Sequence, residues 1–444
     1  MMSPEFLRNF WLEMTLHRWV MMPTILLVLF FIIHTMGGWS WLHDATRLTI
    51  VALGMLWGVR LAGEALIDEI DNRTWDQQRM SAITPWQMSW GKLFGSTVYV
   101  WYGILLLVPV FLFSGLMAGE PMLEAKLILL LSGSVLVQAL ALLMSLLMVR
   151  RMGRHRRSLS NIALIITLFF IITIGPFYDE YFAQFNWYGL AISELVFMAL
   201  SSVVFCGWVL LALYRTMGEE LQLKHRPLAW FSFSLFLIFY VLGFSPVAGG
   251  GVLELNLAGA FFITLFLCYV MIFIERKEPL ELRRFQVTRG QQGWVAASVH
   301  LPCWLVSVAV VLVLGVLLQW IDTPKMGFME TLLRVDQVVL LSLLFLLRDI
   351  AIVIYFNLTK QSQRADATAM VYLLLLYLLL PMLFGAMGMT TLNNLLMPLL
   401  TTNPLTTVIS GGLQLGVVGW LIYQRWQRNY QPLGSNKLGE LSGD

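Results

Sequence analysis

Long runs of apolar residues, separated by shorter polar stretches, set the pattern along this chain. Each run is close to the ~20 residues that an α-helix needs to cross a bilayer. We expect about twelve such spans, so the pattern predicts an all-α, polytopic membrane protein. The expected limits are 19–38, 47–66, 93–115, 127–149, 159–176, 192–214, 229–246, 257–275, 297–319, 335–357, 370–387 and 405–423.

The composition agrees with this pattern. The 444 residues are 58% hydrophobic and 12% charged, whereas soluble domains carry about twice that charged fraction. The net charge of +3 gives no reason to expect a nucleic-acid partner. Cys206, Cys268 and Cys303 all fall in apolar runs and match no metal-ligand spacing, so we expect them to be buried hydrophobes.

Basic residues are distributed unevenly between the two sides of the predicted membrane. With the N-terminus inside, most of the 29 Lys and Arg residues fall in cytoplasmic segments, with the densest group at 150–157. This asymmetry is the positive-inside rule, and it predicts that both termini lie in the cytosol.

The two halves of the chain share one layout. Each half has a charged loop after its second span, another after its fourth span and a basic tail after its sixth. Weak internal symmetry of this kind is typical of transporters. The expected parts are an amphipathic interfacial helix at 1–18, a first six-helix repeat at 19–216, a cytosolic linker at 217–228, a second six-helix repeat at 229–424 and a cytosolic tail at 425–444.

Residues 1–18 differ from the spans because charged and apolar residues alternate there. The segment lacks the apolar core of a signal peptide. Its apolar residues form one helical face, which predicts a helix lying flat in the membrane interface; a frayed tail is the alternative. That face consists of Phe6, Leu7, Phe10, Trp11 and Met14.

A polar island at 69–92 separates the second span from the third. It contains an acidic pair, a Thr-Trp-Asp triplet, a Pro and a Gly-Lys that opens the next span. These residues are Glu69, Asp71, Thr74, Trp75, Asp76, Pro85, Gly91 and Lys92. Their order resembles the first cytoplasmic loop of ABC-2 type permeases, the membrane subunits of one class of ATP-binding cassette transporters. Arg73 stands where that family usually has Gly, and Ala82 where it often has a first Pro.

The resemblance implies a permease subunit, in most such cases an exporter, in a bacterial inner (plasma) membrane. It implies that the helix at 1–18 is an elbow before the first span. The segment 69–92 would dock cytosolic ABC ATPase subunits, expected as a pair, and pass their motion into the spans on either side. The candidate docking residues are Glu69, Asp71, Arg73, Thr74, Trp75, Asp76, Arg79 and Pro85.

The local pattern of this segment supports a short, rigid helix. Several acidic residues stand three or four positions from Arg73 or Arg79, which allows ion pairs. Thr84-Pro85 can stop or restart a helix. The alternative is an ordinary solvated loop, anchored at the membrane interface by Trp75, Trp86 and Trp90.

No phosphate-binding loop of the form GxxxxGK[ST] occurs in the chain. Gly91-Lys92 lacks both the upstream Gly and the following Ser or Thr. If transport uses ATP, we expect ATP and Mg²⁺ to bind to the partner ATPase, with no cofactor and no catalytic site in this chain.

The matching loop of the second half runs from Glu275 to Gly293. It keeps the mixture of acidic and basic residues but lacks the Thr-Trp-Asp and Thr-Pro elements. We expect a degenerate second docking loop, with a plain charged loop as the alternative. Its candidate residues are Glu275, Glu278, Arg283 and Arg284.

Four ionisable residues lie within predicted spans, where such residues are functional candidates by default. Arg60 and Glu64 stand at i,i+4 on the second span and can pair. Arg348 and Asp349 are deeper, in the tenth span. Neighbouring helical residues point about 100° apart, so we expect these two to seek partners on different helices, as an interhelical tie rather than a substrate contact. No HExxH motif occurs, and no metal site is expected.

Three function classes fit these observations to different degrees. The first is the ABC-2 type permease, whose expected partners are ATPase subunits, membrane lipids and a further permease or accessory subunit. The second is a secondary transporter driven by an ion gradient, since six plus six spans also describe the major facilitator superfamily; the long loop after the second span, with its acidic start, and the interfacial helix before the first span count against it. The third, a membrane-embedded enzyme, would need a cluster of polar catalytic residues that the sequence does not suggest. The sequence does not identify the substrate.

Overall fold

A computed structural model describes residues 4–81, 83–152, 184–245, 252–275, 277, 279–321, 335–358, 365–396 and 404–430. The chain forms two compact units, Met1–His225 and Arg226–Asp444. Within the described ranges, eight helices are long and apolar enough to cross a membrane, so the chain is an all-α, multi-pass membrane protein. They are Leu16–Asp71, Val98–Ala118, Leu123–Val149, Glu194–Glu220, Leu253–Ile274, Cys303–Trp320, Val338–Asn357 and Ala365–Ala386.

The first unit begins with a short helix, α1, followed by a long one, α2. A π-helical turn, Ala52–Trp57, joins α2 to α3 without interruption. The elements are α1 (Pro4–Glu13), α2 (Leu16–Val51), α3 (Gly58–Asp71), α4 (Trp75–Arg79), α5 (Pro85–Ser96), α6 (Val98–Ala118), α7 (Leu123–Met152), β1 (Gln184–Trp187), β2 (Leu190–Ser193) and α8 (Glu194–Glu220).

The first two predicted spans lie within one helical stretch, Leu16–Asp71. At 1.5 Å per residue it is roughly 80 Å long, more than twice the hydrocarbon thickness of a bilayer. Gly38 interrupts it with φ +70° and ψ −156°, a conformation that residues with a side chain rarely adopt. Residues 39–46, which lie between the first two predicted spans, are therefore helical and connect the break at Gly38 directly to the second span.

The second unit is also built from helices. Its elements are α9 (Leu228–Leu242), β3 (Phe244–Ser245), α10 (Val252–Ile274), α11 (Pro279–Gln292), α12 (Trp294–Ala297), a 3₁₀ turn (Ser298–His300), α13 (Cys303–Trp320), α14 (Val335–Asn357), α15 (Ala365–Leu374), a π-helical turn (Leu375–Leu379), α16 (Leu380–Ala386), α17 (Thr390–Leu396) and α18 (Pro404–Tyr430).

Three other predicted spans differ from the structure or fall outside it. The seventh corresponds to α9, which has only 15 residues. The twelfth lies in α18, which is not among the eight apolar helices of the described part. The fifth, 159–176, lies outside the described residues. Twelve spans in two repeats therefore remain a prediction.

Two local features were not expected from the sequence. A hairpin joins β1 and β2 antiparallel, with Trp187 opposite Leu190 and a two-residue turn in which Tyr188 and Gly189 both have positive φ. A turn of this kind matches the twist of a hairpin. Helix α8 also continues to Glu220, so the expected linker at 217–228 is helical for its first four residues.

Each unit has its own apolar core. In the first, one cluster packs α2 against α6 and α7, with Phe111 fully buried. A second cluster packs the segment 69–92 onto α7 and α8 through Leu142 and Leu213. The core of the second unit joins α10, α13 and α14 around Phe261 and Leu346. The second cluster matters most for function, because it fixes the position of the candidate site.

Candidate functional site

The candidate site is the segment Glu69–Lys92, together with the helix α1 that packs on it. The segment starts where α3 ends. The Arg73 N–H donates to the Ile70 carbonyl at 3.1 Å, and the Thr74 N–H donates to the Glu69 carbonyl at 2.9 Å. This pair of bonds is the Schellman pattern, which needs a left-handed residue at its centre. Arg73 takes that place with φ +58°. Gly adopts positive φ more readily than other residues, which gives a physical reason for the Gly that the resembled family usually has here.

The helix predicted to restart at Thr84-Pro85 is present as α5. Thr84 accepts a hydrogen bond from the Gln87 N–H at 3.3 Å, while the Gln87 side chain accepts one from the Thr84 N–H at 3.2 Å. This reciprocal capping box satisfies two N–H groups at the start of the helix. Pro85 fits the first helical turn, where no N–H partner is needed.

A buried cluster of charges holds the segment together. Lys92 on α5 is only 1% exposed, and its Nζ forms an ion pair with Glu69 at the end of α3. The Glu5 carboxylate on α1 lies 3.6 Å from the same Nζ. Gln78 on α4 accepts from Lys92 at 2.8 Å and donates to Glu69 at 3.1 Å. Arg8 contacts Glu5 at 3.1 Å and Glu69 at 3.0 Å.

This buried charge cluster (Glu5, Arg8, Glu69, Gln78 and Lys92) contains two carboxylates and two cations, so its formal charges cancel. Burial lowers the pKa of Lys92, an effect that the charges of Glu69 and Glu5 oppose. Burial also raises the pKa of Glu5, against the opposing charge of Lys92. Such a cluster is kept ionised only while every member retains its partner.

Trp75 does not anchor the segment at the membrane interface. It is buried in the second core cluster, and the Lys92 Nζ lies 4.9 Å from its ring centroid, in a cation–π contact. The Arg79 side chain donates to the Glu220 carbonyl at 3.2 Å and so fastens α4 to the end of α8. Of the other two tryptophans, Trp86 is about half exposed and packs edge-on against Trp90.

The docking residues predicted from sequence divide into three groups. Glu69 and Trp75 face inward and hold the segment together, so they present no surface for a partner. Thr74, Arg79 and Pro85 are partly buried. Only the remaining three are exposed, and two further exposed residues, Gln77 and Met80, extend their surface. Five exposed residues on and next to α4 are called here the α4 surface: Asp71, Arg73, Asp76, Gln77 and Met80.

Helix α1 lies against α5 rather than free in the interface. The side chain of Asn9 approaches so closely that a Cβ at Gly95 would lie 2.8 Å from its Nδ2. Met14, expected on the lipid-facing side, is buried. Leu7 and Trp11 are exposed, so an apolar stripe opposite the buried charge cluster is available to lipid.

Arg60 and Glu64 form the expected i,i+4 ion pair, with Nε and Oε1 3.1 Å apart. Their side chains are 64% and 36% exposed. An exposed pair of this kind contributes about 0.3–0.5 kcal/mol. The residues therefore form a surface pair on α3.

The second predicted docking loop is also occupied by internal contacts. The Glu275 carboxylate accepts hydrogen bonds from the Cys303 and Trp304 N–H groups at 3.0 and 2.9 Å, and so caps the start of α13. Lys277 contacts Asp366 at 3.0 Å. Arg283 and Arg284 are exposed on α11, and Glu278 lies outside the described residues.

Arg348 and Asp349 are buried on α14 and pair with each other, their Nη2 and Oδ1 atoms being 2.8 Å apart. This contact between neighbours was not expected, whereas the expected partners on other helices are present. Each also reaches another helix or turn: Asp349 accepts from the Tyr269 and Tyr377 hydroxyls at 2.8 and 2.7 Å, and Arg348 donates to Gln414. This set joins α10, α14, α18 and the π-helical turn that carries Tyr377.

In the part of the chain that the structure describes, no group of His, Cys, Asp and Glu side chains is arranged to hold a metal ion. Comparison with known proteins gave no match: no family model, no curated protein and no solved structure is similar to this chain.

Proposed function

We propose that this chain is the membrane subunit of an ATP-driven transporter of the ABC-2 type, acting as an exporter, and that the α4 surface receives a separate ATPase. The observation that carries the proposal is the set of contacts that holds this surface in place from beneath. A solvated loop does not need charged and polar side chains from four helices joined beneath it, with Glu5, Gln78 and Lys92 buried and Arg8 at the exposed edge. A segment that must pass on a rigid-body motion does need such a support.

The contacts beneath the α4 surface define how a displacement of α4 would be transmitted to the membrane helices. Hydrogen bonds of Gln78 join α4 to α1, α3 and α5, while Arg79 ties it to α8. Displacing α4 would therefore move two long apolar helices, those ending at Asp71 and at Glu220. Packed cores transmit displacement because they have few voids to absorb it.

In this proposal the chain has twelve spans in two six-helix repeats, lies in a bacterial inner membrane and keeps both termini in the cytosol. ATP-driven closure of two partner subunits would move the two loops and switch the side of the membrane from which the transport path is open. The second loop would contribute differently from the first, because Glu275 is engaged at the start of α13.

One observation favours a second candidate, a secondary transporter driven by an ion gradient. Arg348 and Asp349 form a buried charge pair within an apolar helix, bonded to two tyrosine hydroxyls. Charged residues at such depth often serve proton or ion pathways. In that case transport would persist without ATP and would depend on Asp349.

The proposal is tested by complex formation with an ATPase that carries GxxxxGK[ST] and is encoded beside this chain. The variant Asp76→Ala with Met80→Ala removes two side chains that are both 81% exposed. We expect the affinity of the complex to fall about tenfold or more, which corresponds to a joint loss of at least about 1.4 kcal/mol from the two side chains. Pull-down titration and ATPase stimulation by the membrane subunit measure the effect.

The matched control is Met122→Ala with Glu124→Ala, which removes one exposed Met and one exposed acid near the start of α7. By the predicted topology these residues lie outside the cell, so the complex should keep its full affinity. If the α4-surface variant is folded and binds the ATPase with the same affinity as the unaltered chain, the α4 surface is not the docking site.

A further inference from the structure

Residues 283–300, called here the basic segment, have an unusual charge pattern. They include Arg283, Arg284 and Arg289 and no Asp or Glu. The acidic residues of the loop, such as Glu275, all precede them. The basic segment therefore carries a local charge of +3 in a chain whose total net charge is also +3.

The basic segment exposes its apolar residues as well as its arginines. All three arginines are exposed on α11, together with Val287. Trp294 and Val295, at the start of α12, are 67% and 66% exposed. A Trp next to exposed Val and Arg is the combination found at the boundary between lipid headgroups and acyl chains.

Arg289 and the two aromatic residues of the segment form one patch, while Arg283 and Arg284 are exposed nearer the start of α11. The Arg289 guanidinium lies 5.0 Å from the Trp294 ring centroid, and Phe285 packs edge-on against the same ring at 6.1 Å. Gly293 allows this arrangement, because its φ of +87° turns the chain between α11 and α12. A cation held against an aromatic face remains available to a second, anionic partner.

The position of the patch in the chain keeps it near the bilayer. Helix α13, one of the eight apolar helices, begins at Cys303. Eight residues separate Val295 from Cys303, a reach of at most about 28 Å when fully extended. Part of this connection is helical, which shortens the reach further. The patch therefore cannot move far from the end of that span.

We propose that the basic segment binds the surface of the membrane: its three arginines bind the phosphate groups of anionic phospholipids, and Trp294 and Val295 insert at headgroup depth. The positive-inside pattern places this segment on the cytoplasmic side, where anionic lipids attract basic residues. Each arginine is expected to favour the docked state about fivefold, so that together they favour it about a hundredfold.

A protein partner, such as the ATPase of the proposed function, is the other possible occupant. The exposed residues Trp294 and Val295 favour lipid, because they stand at the end of the segment that is tethered to a membrane helix. The test is made without any ATPase, so its outcome is independent of the proposed function.

The test uses the full-length chain in vesicles, with Val295→Cys carrying a fluorophore and Cys303→Ser removing the partly exposed native thiol; Cys206 and Cys268 are buried. Brominated lipids quench the fluorophore if it enters the bilayer. We expect strong quenching in vesicles that contain phosphatidylglycerol and weak quenching in pure phosphatidylcholine. The triple variant Arg283→Gln, Arg284→Gln and Arg289→Gln should abolish this difference.

A charge-matched control replaces three other exposed cations, Lys224, Arg226 and Arg428, with Gln, and should keep the full difference in quenching. Equal quenching in the two kinds of vesicle would overturn the proposal. So would a triple arginine variant that keeps the full lipid dependence. If that variant kept its lipid dependence but lost its complex with the ATPase in the separate pull-down titration, the arginines would be assigned to the protein partner.

Discussion

Replacing Lys92 by Met is expected to lower the free energy of unfolding by about 3–5 kcal/mol, because it leaves two buried carboxylates, Glu5 and Glu69, with the partly exposed Arg8 as their one remaining cation in the cluster. It also removes the cation over the Trp75 ring. Because Lys92 contacts residues on α1, α3 and α4, the loss should appear as separation of α1 as well as a lower Tm. Thermal unfolding in detergent and limited proteolysis near residue 14 measure the two effects.

Two variants show whether charge pairing is the cause. Lys126→Met removes a similarly buried lysine that pairs with the partly exposed Glu120 at 2.8 Å, and it should cost clearly less. Lys92→Met combined with Glu69→Gln removes one uncompensated charge and should recover part of the loss. If the two lysine variants cost the same, burial of the methylene chain rather than the buried charge cluster would explain the effect.

Replacing Asp349 by Asn is expected to cost a similar amount, about 3–5 kcal/mol, because it strands the buried guanidinium of Arg348. The Tyr269 and Tyr377 hydroxyls would still find an oxygen acceptor, so the lost charge dominates. Tyr377→Phe, which removes a single hydrogen bond, should cost only about 1 kcal/mol. Unfolding of the purified chain in detergent gives the ranking.

A double variant, Arg348→Met with Asp349→Leu, separates a structural tie from a transport site. Replacing both charges by apolar side chains of similar size is often neutral or stabilising. If the pair is only a tie, ATP-driven transport should survive in this variant. The secondary transporter would be favoured over the proposed function by two results together: loss of transport in a stable double variant, and uptake by the unaltered chain that persists without ATP.

The sequence predicted the features that depend on local pattern. The apolar runs gave the membrane-spanning character, and Thr84-Pro85 gave the start of α5, because capping uses residues three positions apart. The pairing of Arg60 with Glu64 is local in the same way. Arg73 stands where the resembled family usually has Gly, and its positive φ explains that preference, because Gly adopts such a conformation readily.

The features that the sequence did not predict depend on contacts between distant residues. Glu69 was assigned to a docking surface because nothing nearby in sequence shows that Lys92 and Glu5 enclose it. The separations are 23 residues for Lys92 and 64 for Glu5. A partial signal was present: Glu5 and Arg8 stand at i,i+3 on an otherwise apolar helix, which is a costly placement unless buried partners exist.

The same limit explains why the pairing of Arg348 with Asp349 in the tenth span was not predicted. The expectation that Arg348 and Asp349 diverge rests on ideal helix geometry, which fixes Cβ directions but not the reach of a long side chain. Arg348 folds back along α14 to reach its neighbour and lies over the rings of Phe345 and Tyr377. Aromatic neighbours one turn away were visible in the sequence but did not specify this conformation.

The central claim is that the α4 surface faces the cytosol and is covered by a separate ATPase. Met80→Cys, at the most exposed point of that surface, tests it by labelling with a membrane-impermeant maleimide. The account predicts labelling in inverted vesicles, none in intact spheroplasts, and protection in inverted vesicles when the ATPase is bound. Labelling of intact spheroplasts would place the surface outside the cell and contradict the account.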